Sequence, residues 1–235
     1  MKVILYIILF IFLFPIFYFV IPWIVTKCIR KRFSSSVQRS GCVCLTFDDG
    51  PDPDSTPHIL KLLHAAGTKA TFFLLGENTE KYPDLVRQIV NMGHEIGSHS
   101  YQHTHAWKSN PFRSVSDLIR GERTIEKFLR LKKSVLFRPP YGKFNLATLM
   151  YSLFTRKRIV FWNIDPKDYQ QKSGIMVADF VIERISNGGV ILLHDGRKNI
   201  LHSSEVTVSA VKLILEAANK KGIVLKTIKE ANIVN

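Results

Sequence analysis

The chain has 235 residues, enough for one catalytic domain and for a second only if both were small. Its 33 basic and 19 acidic side chains leave a formal charge of +14, which favours anionic surfaces such as lipid headgroups, phosphorylated carriers or acidic polymers. No zinc-finger spacing or RNP-type motif supports nucleic acid, and three cysteines, Cys28, Cys42 and Cys44, do not make a secreted disulfide framework.

Residues 3–26 are almost unbroken Val, Ile, Leu, Phe, Tyr and Trp, long enough for one transmembrane helix. Tyr6 and Trp23 stand near its ends as interfacial aromatics do, and Pro15 and Pro22 are kink positions that membrane helices tolerate. A cleaved signal peptide fits less well, because the apolar run is long and no small-residue cleavage site comes after it. Lys27, Arg30, Lys31 and Arg32 come next, so residues 1–33 read as an anchor with a basic flank. The charge bias favours the cytoplasmic side for the domain C-terminal to the span, although a span with some positive charge on its amino side can insert the other way. Residues 34–40 read as a short polar linker, and 41–235 as one domain.

From Gly41 the pattern alternates short apolar strands with amphipathic helices. Strands are expected at 42–47, 70–74, 95–97, 135–137, 159–162, 190–193 and 223–225. Helices are expected at 57–66, 83–92, 115–130, 146–154, 175–185 and 205–219. Pro83 and Gly93 bracket the second helix, and Gly121 sits awkwardly inside the third. Such alternation predicts an α/β fold with a mostly parallel sheet. Because the polar candidates come just after the strands, one barrel-like (β/α) domain of seven or so strands is expected, preceded by one transmembrane helix; no glycine fingerprint or P-loop supports an open nucleotide-binding sheet.

The first strand runs into two adjacent carboxylates, Asp48 and Asp49, then Gly50-Pro51. Neighbouring buried carboxylates repel unless a metal or cation compensates them. His99 and His103, four apart, share one side if their segment turns helically, and with one of the carboxylates they make a His₂Asp donor set with open positions for water and substrate. Asp49 is taken as the ligand and Asp48 as the general base; capping of the turn is the plainer alternative, better suited to Asp52 and Asp54. His105 lies in the same segment but off that side. Arg138-Pro139-Pro140-Tyr141 is a stiff turn that can hold a guanidinium against a buried carboxylate in bidentate fashion, or simply carry a surface ion pair. Trp162 to Tyr169 mixes aromatics and acids as a carbohydrate-binding wall does. His194, leaving a buried strand, can protonate a departing amine if Asp168 or Asp165 keeps it charged, and Leu192 can line a pocket sized for an acyl methyl.

Taken together, Thr46-Phe47-Asp48-Asp49-Gly50, His99 to His103, Arg138 to Tyr141, Asp165 to Tyr169 and Leu192-Leu193-His194-Asp195 resemble the motifs, in order, of the polysaccharide deacetylase family (the NodB-type, carbohydrate esterase family 4 domain) over residues 41–225. That resemblance implies a distorted barrel and removal of acetyl groups from amino sugars in chitin oligomers or peptidoglycan, or from xylan. It implies Asp48 as base with Arg138 as its partner, and Asp49, His99 and His103 as ligands of one divalent ion, zinc or cobalt. It implies His194 as acid beside Asp168, and the Tyr141 backbone amide as an oxyanion donor. Tyr169, Trp162 and Leu192 fall on the substrate side. Thr104 stands where members often have Pro, Tyr169 where they often have Trp, and Asn163 where an acid is frequent.

The reaction expected is metal-dependent N-deacetylation of an amino-sugar glycan: peptidoglycan, a chitin-like oligomer or a lipid-linked sugar. The alternatives are a deformylase or deacylase of a lipid-linked amino sugar, and an inactive membrane-tethered sugar-binding protein, which predicts damaged catalytic positions where none is damaged. A metallophosphatase is disfavoured by a donor set for one ion. An anionic phospholipid surface is the expected partner, and no obligate protein partner is evident.

Overall fold

The computed structural model describes residues 2–130, 135–196 and 204–234. The chain begins with helix α1 (Lys2–Pro15), a π-helical turn at Ile16–Val20, and helix α2 (Ile21–Ser40). The π turn comes directly after Pro15, whose missing N–H removes a donor from the ladder at that point. The expected linker at 34–40 is the last two turns of α2, closed by Gly41 in the left-handed conformation. It is helical because it has something to bury: Phe33 and Val37 enter a core cluster with Phe161 and Val190. Upstream, Tyr18, Pro22 and Thr26 are also buried, four residues apart, so one stripe of this long helix lies against the rest of the chain. Phe12–Ser40 is long and apolar enough to cross a membrane by length and composition.

The sheet and its crossovers run in the order β1 (Val43–Asp48), α3 (Thr56–Ala65), β2 (Thr71–Leu74), α4 (Gly76–Lys81), α5 (Pro83–Asn91), β3 (Glu95–Ser98), α6 (Pro111–Leu129), β4 (Leu136–Phe137), α7 (Leu146–Phe154), α8 (Gly174–Ile182), β5 (Gly189–His194) and α9 (Ser204–Lys220). All five strands are parallel, in the order β4-β3-β2-β1-β5. Parallel pairing needs crossovers, and the helices supply them while covering the outer face.

Two expected strands, 159–162 and 223–225, are single bridges, Phe137↔Ile159 and Val43↔Leu225. The first matters for shape. The segment through Ile159 pairs with β4, and a few residues later Ile164 pairs with Ile191 of β5. One irregular stretch thus joins both edges of the sheet, which makes the fold a distorted barrel. Regular pairing breaks where Asn163 turns its side-chain oxygen to accept from the Val190 amide, 2.7 Å.

Alternation along the strands sets the rest. Val43, Leu45 and Phe47 of β1 pack outwards with α3 and α9 residues such as Ile59 and Ile214, and Cys44 packs on the other side with Phe73 and Val190. The period of two puts Thr46 and Asp48 on the inner side with Cys44. In register, Asp48 pairs with His194 and Phe73, Leu74 with Ser98, and Ser98 with Phe137. The strands therefore end level, and Asp49, His99 and Arg138 all leave the sheet at one end.

Candidate active site

Arg138 is fully buried inside the barrel, beside an almost fully buried Asp48. Its Nη1 donates to Asp48 Oδ1 at 2.7 Å and to Thr46 Oγ1 at 2.8 Å, and Nη2 donates to the Phe161 carbonyl at 3.1 Å. The pairing runs through one nitrogen, not the bidentate fork expected from the sequence, because the Phe161 carbonyl on the closing segment takes the second. The guanidinium also lies over the Phe73 ring at 4.1 Å. Burial pushes Asp48 up and the charges of Arg138 and His194 pull it back, leaving it at about 6, so the carboxylate is mostly ionised at neutral pH.

Asp49, His99 and His103 converge: one donor atom from each lies within 4.8 Å of the others. His103 Nε2 is 3.5 Å and His99 Nε2 3.7 Å from Asp49 Oδ1, which is buried and accepts no hydrogen bond among the described residues. His99 Nδ1 sits 2.8 Å from the Arg138 carbonyl, which makes it the protonated nitrogen and leaves Nε2 as a lone-pair donor. Burial and the neighbouring His103 hold His99 far below the usual imidazole range, so it is neutral, as a ligand must be. Two imidazoles, one carboxylate and an orphaned buried oxygen fit a divalent cation.

The histidine spacing works without the expected helical turn. Residues 99–103 form a loop in which Ser100 (φ 70°) and His103 (φ 59°) are left-handed. The loop is held from behind by α6: Asp117 Oδ1 accepts from the Gln102 amide at 2.7 Å and Oδ2 from the Thr104 amide at 3.1 Å, while its carbonyl accepts from the Tyr101 amide at 3.0 Å. Gly121, odd in the sequence, is explained here. A Cβ at that position would overlap the Ser100 carbonyl group, so glycine lets α6 approach the loop.

At the end of β5, His194 is held by Asp168, not Asp165. Asp168 Oδ1 is 2.7 Å from His194 Nδ1, and Oδ2 accepts from the His194 amide and from Thr207 Oγ1, both at 2.8 Å. Burial works against charge on His194, but Asp168, then Asp49 and Asp48, outweigh it and raise the imidazole to about 10. It is therefore an imidazolium at neutral pH at the end of β5, while the neutral His99 comes directly after β3. Tyr169 meets its ring edge-on at 5.1 Å.

A cavity of about 410 Å³ opens over these groups, and Tyr141, Trp162, Tyr169 and Leu192 all line it. Tyr141 is left-handed (φ 57°) and its ring covers His103 and His105, both at 4.5 Å. His105 stands outside the three-donor set, as expected. Asp165 reaches the cavity, yet its Oδ1 accepts from the Lys167 amide at 3.0 Å in a local turn. Sequence reasoning missed Asp117, Thr207, Lys143 and the part played by Arg30, which lines this cavity from α2. A Ser/Thr or Asp on a helix face carries no positional signal until the fold shows what it faces. Asp195 is buried behind the site: its Oδ2 accepts from Thr56 Oγ1 at 2.7 Å and its amide donates to the Asp48 carbonyl at 3.1 Å.

A parallel barrel whose strand ends gather an ionised carboxylate, a charged imidazole and three donors for one cation has the makings of a hydrolase. The sequence profile of the polysaccharide deacetylase family matches residues 36–154. A peptidoglycan-N-acetylglucosamine deacetylase of Bacillus cereus is 34% identical over 190 residues, 80% of this chain and 86% of that one. A chitooligosaccharide deacetylase of Bradyrhizobium sp. is 29% identical over 199 residues, covering 82% and 91%. The crystal structure of a peptidoglycan N-acetylglucosamine deacetylase in complex with 4-naphthalen-1-yl-N-oxidanyl-benzamide superposes with a TM-score of 0.73 at 34% identity, over 81% of this chain and 87% of that one. The chain belongs to the polysaccharide deacetylase family.

Proposed function

We propose that the protein is a metal-dependent N-deacetylase that hydrolyses the acetamide of N-acetylated amino sugars in an envelope glycan. The observation that carries this reading is the placement of an ionised carboxylate, Asp48, and an imidazolium, His194, on register-paired residues of adjacent strands, with the donors Asp49, His99 and His103 beside them. A divalent cation held by those three, zinc by its donor preference with cobalt as a substitute, would polarise the acetyl carbonyl and acidify a water. Asp48 takes the proton from the attacking water, and Arg138 keeps it ionised and aimed. His194 gives its proton to the sugar nitrogen as the C–N bond breaks, so acetate and a free amine leave, and Asp168 holds the charge and tautomer that this requires. The Tyr141 amide supports the oxyanion. Leu192 walls the acetyl methyl, and Trp162 and Tyr169 bracket the sugar.

The proposal places the protein at a membrane through its N-terminal helix. The helix is packed on the domain along one stripe from Tyr18 onward, so a span formed by it would hold the domain close against the headgroups. There α7, adjoining the π turn, presents its exposed Met150, Leu153 and Phe154.

The direct test is acetate release from N-acetylglucosamine oligomers and from peptidoglycan by protein stripped of metal and then reloaded. Release that depends on the added ion is expected. Binding of these glycans with no acetate released at any metal load would refute the reaction. Protease access to terminal tags in intact cells assigns the side of the membrane.

A further inference from the structure

Arg30 is part of the apolar N-terminal helix, yet it reaches the catalytic cavity. Its guanidinium lies over the Trp162 ring at 4.6 Å and the Phe161 ring at 4.9 Å. It fills the notch over Gly142: a Cβ there would come within 2.6 Å of Arg30 Nη2 and 2.9 Å of Trp162. Gly142 directly succeeds Tyr141 in the turn, so a side chain of the anchor helix touches the turn that lines the reaction centre.

The charge on Arg30 is poorly compensated. Its Nε is buried without a hydrogen-bond partner, and among the described residues no carboxylate approaches it closely enough for an ion pair. Asp165 acts on it only at longer range. Lys143, one residue past Gly142, lines the same cavity with its ammonium 4.8 Å over the Trp107 ring. Of the cavity's carboxylates among the described residues, Asp48 is paired with Arg138 and Asp49 belongs to the cation donors, which leaves Asp165 to face Arg30 and Lys143. A half-buried guanidinium stacked on aromatic faces is a strong site for an oxyanion, because the ring contacts pre-order it and the low dielectric strengthens the pairing. A neutral glycan makes no use of it.

We propose that Arg30, with Lys143, forms an anion subsite that seats a phosphate carried by the amino-sugar substrate, so that the anchor helix selects what is deacetylated. The identity of the reacting bond rests on the deacetylase reading; the anion subsite itself does not. Phosphate on a soluble sugar and phosphate joining a sugar to a lipid carrier present the same chemistry to Arg30.

The test uses the full chain in detergent micelles, with equilibrium binding of N-acetylglucosamine 1-phosphate and of neutral N-acetylglucosamine dimer measured by calorimetry. Wild type is expected to prefer the phosphate ligand, and Arg30→Gln to cut that preference about tenfold, the loss of one charge-assisted hydrogen bond. Arg30→Lys should retain part of it. An unchanged preference in Arg30→Gln, or none in wild type, overturns the proposal. If Arg30→Gln fails to fold, the wild-type salt dependence decides: phosphate binding must weaken with ionic strength while neutral binding does not, and parallel behaviour overturns it. A polyprenyl-diphosphate-linked sugar in the same micelles separates the sources. Tighter, Arg30-dependent binding of that ligand assigns the subsite to a lipid carrier, and no gain over the soluble phosphate assigns it to the phosphate itself. Acetate release from neutral oligomers is read in parallel, so a failed reaction and a failed subsite give different results.

Discussion

Replacing Asp168 with Asn removes the negative charge at the point where His194 gets its proton. In the wild-type arrangement Asp168 bonds to both the ring and the amide of His194 and to Thr207. It is the largest influence raising the imidazole, against burial, from an ordinary 6.5 to about 10. At about 1.4 kcal/mol per unit, that rise is on the order of 5 kcal/mol in favour of the charged ring. In Asp168→Asn only Asp49 and Asp48 still oppose burial, so the His194 pKa should fall and the imidazole should lose its charge at a lower pH. Loss of a general acid costs about 10²–10⁴ in rate. Acetate release should therefore fall by that range at pH 8, and the alkaline limb of the kcat/KM profile should move to lower pH. Stability carries an independent signature. A group whose folded-state pKa is raised contributes stability that is full below 6.5 and lost as pH rises through about 10. Wild type should thus lose Tm across that window, while Asp168→Asn starts lower and lacks this decline. Metal content should be unaffected, since Asp168 is not among the three donors. An alkaline limb at the same pH in both proteins would refute the acid assignment.

Other perturbations test other parts. A His99→Ala/His103→Ala double substitution should take bound divalent ion from about one per chain to none by elemental analysis; retained metal would refute the donor set. Gly121→Ala adds a Cβ that meets the Ser100 backbone, so α6 and the His99–His103 loop must separate; expect weaker metal binding and a loss of roughly 1–3 kcal/mol in denaturant unfolding, with an undisturbed protein counting against the close approach. Arg138→Met removes the buried partner of Asp48. It should cost about 3–5 kcal/mol of stability and drive Asp48 above its present 6 or so, moving the acid limb of activity to higher pH; a limb that stays in place would remove Asp48 from the base role.

The candidate site was legible in the sequence because its residues are tied to strand ends. A buried strand that stops at Asp48-Asp49, another that stops before Arg138, and a third that delivers His194 announce a site wherever the sheet is parallel, since such strands end at one face. The parallel α/β class and the cation-donor residues came from that. Where the sequence misled, a long-range contact had overridden the local pattern. Residues 34–40 look like a polar linker until Phe33 and Val37 find Phe161 and Val190 to bury against. The 159–162 segment looks like a strand, but the stretch through Ile159 and Ile164 reaches both edges of the sheet and so makes one bridge to each.

Composition and periodicity by themselves determined an apolar N-terminal segment, an alternating α/β chain and a set of candidate residues for hydrolysis, because each of these is written in neighbouring positions. Only the tertiary structure decided which carboxylate holds His194, how α6 supports the histidine loop, and that Arg30 of the N-terminal helix lines the candidate site's cavity. Those choices join residues far apart in the chain, through single hydrogen bonds and ring contacts whose partners exist only once the barrel has closed.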